Sequence, residues 1–188
     1  GRVALTLAAG AAVAGPWPRD AGTGFAALSA GTVRGAGPGP TVEGYLEYGI
    51  APRLTLGSAL ERGPQGPRGD LFGRWHPPDL PGGWVWGLTA GLRLTPDAPV
   101  RRRLMAGIDL GRGFGTAHGN LWLRAGARVL LGRDALARRG DLDLSVQAGL
   151  RHGPWVGIVA LTQYRNDFAT LTRLRPALGR ELSPRLTL

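Results

Sequence analysis

Residues 84–94 read Trp-Val-Trp-Gly-Leu-Thr-Ala-Gly-Leu-Arg-Leu, with bulky apolar residues alternating against small or polar ones. A strict period of two predicts a β-strand with one apolar and one polar face. The apolar set is Trp84, Trp86, Leu88, Ala90, Leu92 and Leu94. At about 3.3 Å per residue, a strand of this length would cross the hydrocarbon core of a bilayer on a tilted path.

The pattern recurs along the chain. Leu104, Ala106, Ile108 and Leu110 alternate with Arg103, Met105, Gly107 and Asp109; Leu121, Leu123, Ala125, Ala127, Val129 and Leu131 alternate with Trp122, Arg124, Gly126, Arg128 and Leu130. Leu142, Leu144, Val146, Ala148 and Leu150 follow, set against Asp143, Ser145, Gln147, Gly149 and Arg151. A soluble sandwich would turn the polar face to water, and a membrane barrel would turn it to the lumen. Alternation alone leaves both open; strand length favours the barrel, because these runs reach about nine to eleven residues whereas sandwich strands usually have about five or six.

The pattern predicts strands over residues 25–33, 42–49, 54–61, 70–76, 84–94, 103–111, 120–131, 141–151, 155–164 and 168–178, with an eleventh opening at Arg185. The fold class is therefore all-β: an antiparallel up-and-down transmembrane β-barrel, with about twelve strands in the intact protein because bacterial barrels close on an even count. Tyr45, Tyr48, Trp75, Trp84, Trp86, Trp155, Tyr164 and Phe168 lie near strand ends, where aromatic girdles at the two bilayer interfaces would place them.

Arg2 precedes an Ala/Leu/Val-rich run that closes with Ala12-Val13-Ala14. This resembles the C-terminal part of a secretory signal with an A-x-A cleavage pattern, so residues 1–14 are expected to be signal and 15–188 a C-terminally incomplete barrel domain. A periplasmic N-terminus then makes the connections after even-numbered predicted strands periplasmic, including the tight ones at Pro52-Arg53 and Gly153-Pro154. A repeat supports this parity: Ile50-Ala51-Pro52-Arg53-Leu54-Thr55-Leu56 returns as Leu182-Ser183-Pro184-Arg185-Leu186-Thr187-Leu188. Proline at the turn fixes φ and dispenses with a ladder N–H.

The 32 glycines and 15 prolines among 188 residues argue against helical packing, and the length bounds one domain without a composition break. With no cysteine there is no disulfide framework, thiolate metal site or thiol nucleophile.

Trp17-Pro18-Arg19, followed by Gly24-Phe25 and then Gly44-Tyr45-Leu46-Glu47-Tyr48-Gly49-Ile50, resembles segments of uncharacterised proteobacterial outer-membrane β-barrels of porin-like type. The likeness extends over most of residues 15–188. It implies a barrel fold and an outer-membrane location reached by export, and it carries no catalytic residue.

All 23 basic residues are arginine, against 13 Asp and Glu, for a net charge of +10. Such a balance first suggests nucleic acid or another polyanion; the placement of the arginines argues against nucleic acid. Arg62, Arg68, Arg101, Arg102, Arg133, Arg138 and Arg139, with Arg34 and Arg165, fall on or beside the external loops. There they could fork lipopolysaccharide phosphates, or simply be solvated.

Arg74, Arg93, Arg124, Arg128, Arg151 and one of Arg173 or Arg175 fall on the polar face, along with Glu43, Glu47, Glu61, Asp70, Asp109 and Asp143. Opposed rows of Arg and acid could select small anions in an aqueous pore, or pair off into a plug. No serine is in step with His118-Gly119-Asn120 as a triad requires. His76, His118 and His152 fall near periplasmic turns and are expected to be ordinary rim residues, and the run Gly111-Arg112-Gly113-Phe114-Gly115 reads as a flexible turn.

The leading expectation is a passive, non-enzymatic porin-like channel for small solutes or anions, without metal or cofactor, among outer-membrane lipid and lipopolysaccharide. The second is a non-conducting structural, adhesive or lipopolysaccharide-interacting barrel. A soluble periplasmic lipid-binding barrel is third, and it would place Leu88, Leu123 and Val146 inside.

Overall fold

A computed structural model describes residues 3–5, 17–33, 39–64, 66–97, 101–132, 141–165, 170–183 and 186–187. Ten long strands follow one another: β2 (Gly24–Val33), β3 (Gly39–Ala51), β4 (Leu54–Gly63), β5 (Gly66–Trp75), β6 (Trp84–Leu94), β7 (Arg102–Thr116), β8 (Gly119–Leu131), β9 (Asp141–His152), β10 (Trp155–Arg165) and β11 (Thr170–Ser183). Each pairs antiparallel with its neighbours in sequence. Among the described residues there is no helix.

Two short pieces flank this meander. β1 (Val3–Leu5) runs parallel to the start of β2, in a segment the alternation did not mark as strand. β12 (Leu186–Thr187) turns back on β11, so the second copy of the Pro-Arg-Leu-Thr repeat re-enters the sheet as the first does at Ala51↔Leu54. Pro176 sits inside β11, paired with Val159 on one side. A strand with one long open edge tolerates a residue that has no N–H to give.

The sheet curls into a half-barrel whose opposite walls meet inside. Ala27 of β2 packs against Val156 and Ile158 of β10, and Arg175 of β11 reaches Glu43 of β3. One end carries the connections at 52–53, 76–83, 117–118 and 153–154, and is called the turn end below; the other carries 34–38, 64–65, 95–101 and 132–140, and is called the loop end. At the turn end Gly153 holds φ +55°, a conformation that costs glycine little.

Burial decides which face is which. Val146 is 57% exposed, and Leu88 and Leu123 also lie on the outer surface with Leu46, Leu60, Leu104, Ile108, Val159, Leu161 and Leu174. Glu47, Arg74, Thr89, Arg93, Asp109 and Gln147 are buried. The polar face lines the interior and the apolar face looks outward, the reverse of the burial that a soluble lipid-binding barrel needs for Leu88, Leu123 and Val146.

Three local expectations change. The glycine run at 111–115 is strand rather than turn: β7 continues to Thr116, with Phe114↔Leu121 and Gly115↔Asn120 in register. Glycine and arginine hide the alternation there, yet Arg112 lies over both Phe114 and Trp84, 4.8 and 5.7 Å from the ring centroids. Tyr45 and Tyr164 turn inward, because each shares its parity with interior residues: Tyr45 donates to Glu47 at 2.6 Å and Tyr164 donates to Asp141. Trp75, Trp155 and Tyr48 are exposed and Trp84 and Trp86 half-buried, so the outward aromatics gather at the turn end alone among the described residues. Phe168 lies outside the described residues.

Candidate functional site: a charged interior

Alternation aims every second residue of each strand into the interior, and small residues opposite the large ones give them room. Arg74 of β5 lies across Gly87 of β6, where an added Cβ would stand 3.1 Å from its Cδ. Asp109 of β7 has glycine on both sides in register, Gly87 and Gly126. Arginines from other strands can therefore reach its carboxylate.

In the turn-end half these charges form a ladder. The Arg19 Nε donates to Glu47 Oε2 at 2.7 Å, and Arg74 Nη1 donates to Glu47 Oε1 at 2.6 Å. Arg74 Nε stands 3.9 Å from Asp109 Oδ2, and Arg124 Nη2 donates to Asp109 Oδ1 at 2.6 Å. The Glu47, Arg74 and Asp109 side chains are wholly buried at 0% exposure. Alternating signs let each charge be neutralised by its neighbours, which is the condition for keeping ions away from water. Thr89 accepts a hydrogen bond from Arg74 Nε at 3.3 Å, and His76 is buried against the Thr55 hydroxyl at 3.2 Å.

Beside the ladder, Val156 and Ile158 with Ala27, Trp122 and Ala177 fill the space between β2 and β10. A second apolar cluster, Phe72, Met105 and Leu130 with Tyr45 and Tyr164, sits against the other wall.

The loop-end half is looser. Arg93 grips Asp70 with two bonds of 2.7 Å and lies 3.7 Å from Asp143. Arg175 donates to Glu43 at 2.6 Å, Glu61 is shared by Arg68 and Arg173, and Asp141 pairs with Arg103. Several of these side chains are partly exposed, Arg175 at 36% and Asp143 at 25%. Apart from Arg103, Asp141 and Arg173, these residues line a cavity of about 180 Å³ to which Arg124 and Arg128 also contribute.

Of the lumen residues expected from alternation, Glu43, Glu47, Arg74, Arg93, Asp109, Arg124, Arg128 and Asp143 come together inside; Arg151 shares their parity but is exposed at the turn-end rim. Both Arg173 and Arg175 face inward rather than one, since two residues apart on a strand means the same face. Of the arginines expected at lipopolysaccharide, Arg62, Arg101 and Arg102 are exposed at the loop end. Arg68 instead turns inward to Glu61, in register with it; its parity with Asp70 and Arg74 was the available signal. Arg133, Arg138 and Arg139 lie outside the described residues. Arg19 and Arg103 were not among the expected lumen residues: Arg19 precedes the strands, whereas Arg103 shares the parity of Asp109, which was the available signal, and meets Asp141 and Tyr164.

His118 and His152 meet at the turn end, where His152 Nδ1 lies 2.7 Å from the His118 carbonyl oxygen. Among the described residues no group of three metal-binding side chains converges. Protein-family models, curated proteins and solved structures gave no match to this chain.

Proposed function

We propose that this chain is a transmembrane β-barrel of a Gram-negative outer membrane, exported behind a cleaved signal and closing with about twelve strands, and that it is a closed barrel in contact with lipopolysaccharide rather than an open diffusion pore. The observation that carries the membrane part is the inverted burial: every long strand presents exposed leucine, isoleucine or valine outside, and ion pairs lie inside. In water such a surface would be a severe aggregation liability, whereas in lipid it is the expected wall. The aromatic rim at the turn end and the exposed Arg62, Arg101 and Arg102 at the loop end support an orientation with turns in the periplasm and arginines among the phosphates of the outer leaflet.

The closed reading rests on the ladder. Arg74, Glu47 and Asp109 have no exposed side-chain surface, and the apolar cluster beside them fills the space between β2 and β10. The anion-selective, porin-like channel stands as the second reading, favoured by the arginine-rich lining of the loop-end cavity.

Refolding with lipid vesicles, followed by single-channel recording in a planar bilayer under a salt gradient, tests both. A chain that folds only with detergent or lipid and stays electrically silent supports the closed membrane barrel. Steady conductance with anion preference replaces it by the channel, and folding to the same sheet in plain buffer overturns the membrane reading.

A further inference from the structure

We infer that Arg128 marks a binding site for a small free oxyanion, of the size and charge of inorganic phosphate, inside the loop-end cavity. The other arginines of that cavity have carboxylate partners: Arg93 has Asp70, Arg124 has Asp109, Arg68 has Glu61 and Arg175 has Glu43. Arg128 lines the same cavity and forms no ion pair with any described residue.

Its position explains why. On β8, Arg128 is in register with Asp143 of β9 and Gly107 of β7. The Asp143 carboxylate is turned to Arg93, with Oδ2 3.7 Å from Nη1. On the other side the Arg128 stem leans over Gly107, where an added Cβ would stand 2.7 Å from its Cγ. The bare glycine lets the side chain lie toward β7 and away from the acid it faces.

The Asp109 charge also acts on Arg128, but that carboxylate is already engaged by Arg74 and Arg124, and a guanidinium held partly out of water with no carboxylate of its own is costly. A mobile anion removes that cost, and the guanidinium fork suits an oxyanion that accepts two parallel hydrogen bonds. Arg124 stands four residues away on the same face, about 13 Å along the strand, and adds a second positive charge at the cavity wall. The volume of about 180 Å³ admits phosphate, sulfate or a short carboxylate. It is below the roughly 300–1,000 Å³ typical of sites for larger ligands.

The proposal rests on the membrane reading for its setting, and the test separates the two. The full chain is folded in detergent micelles and titrated with inorganic phosphate by calorimetry at low chloride. Saturable one-to-one binding is expected, weakened at least tenfold in Arg128→Gln, tightened in Asp143→Asn, and unchanged in Arg53→Gln at the turn end. If Arg128→Gln does not fold, Arg128→Lys, which keeps the charge and loses the fork, should weaken binding by a smaller factor. A folded micellar barrel that takes up no phosphate, or whose affinity ignores Arg128, overturns the site and leaves the membrane reading standing. Lipopolysaccharide vesicles should give heat that Arg128→Gln does not change. Loss of that heat in the variant would assign Arg128 to a lipid headgroup and overturn the free-anion site.

Discussion

Arg74 and Arg128 are both interior arginines projecting from the wall of one sheet, and their surroundings differ. Arg74 lies in the turn-end half between Glu47 and Asp109 with no surface exposed. Arg128 borders the cavity of the loop-end half without an ion pair to a described residue. Connection length does not supply the contrast, since the turn end includes the long connection 76–83 and the loop end the two-residue connection 64–65. The lesson is that one charged face can do two things along its length. Where signs alternate and glycines let the side chains cross, it sets into a neutral plug; where one arginine exceeds its partners, it leaves a place for a ligand.

The largest effect should follow from breaking the ladder. Asp109→Asn leaves Arg74 and Arg124 without a shared counter-charge, and should cost about 3–5 kcal/mol in urea unfolding from lipid vesicles. A cost below about 1 kcal/mol would mean that water reaches this half and that the two halves do not differ.

Next is the outer wall, which should not distinguish the halves. Val146 lies mid-strand, with Ala125 and Leu161 beside it in register. Val146→Arg should cost about 2–4 kcal/mol in lipid if the face meets the bilayer core. An equal loss measured in buffer alone would contradict a membrane setting.

A smaller effect is expected from filling the spaces that glycine keeps. Gly87→Ala pushes against the Arg74 stem and should cost about 1–3 kcal/mol as overpacking. Gly157→Ala, with open space around its Cβ, should be neutral or gain up to about 1 kcal/mol from reduced backbone freedom. Equal effects at the two positions would show that crossing arginine stems do not explain the glycines.

Smallest is the loop-end pair of Glu43 and Arg175, which is partly exposed. Glu43→Gln should cost less than about 1 kcal/mol, and the difference from the parent should vanish in about 1 M salt, where screening reaches only about 3 Å. A large cost that survives salt would make the loop end as dry as the turn end.

Most of the strands were legible in the sequence because period two is a local property: all ten long strands follow the predicted runs, and residues 84–94 match β6 at both ends. Ends were misjudged where side chains stop alternating in hydrophobicity, as in the glycine-rich stretch before Thr116 and the Gly-Pro-Arg start of β5. The interior charges followed from parity for the same reason. What parity does not carry is partnership. Arg68 was assigned to a loop although its parity was visible, and nothing local foretold that Arg103 would meet Asp141 and Tyr164 or that Arg19 would cap the ladder at Glu47. Such pairs depend on how far the sheet curls, which is a property of the whole wall.

The meander also sets an order of assembly. Each hydrogen-bonded pair of long strands joins consecutive stretches of chain, so the wall can grow hairpin by hairpin with short loops to close and a modest entropic barrier at each step. The Arg175 to Glu43 bond spans 132 residues and can form only after both ends of the sheet have been carried round to face each other. That bond is a late event in folding, and the rate at which it appears would time the curling of the sheet separately from the zipping of its strands.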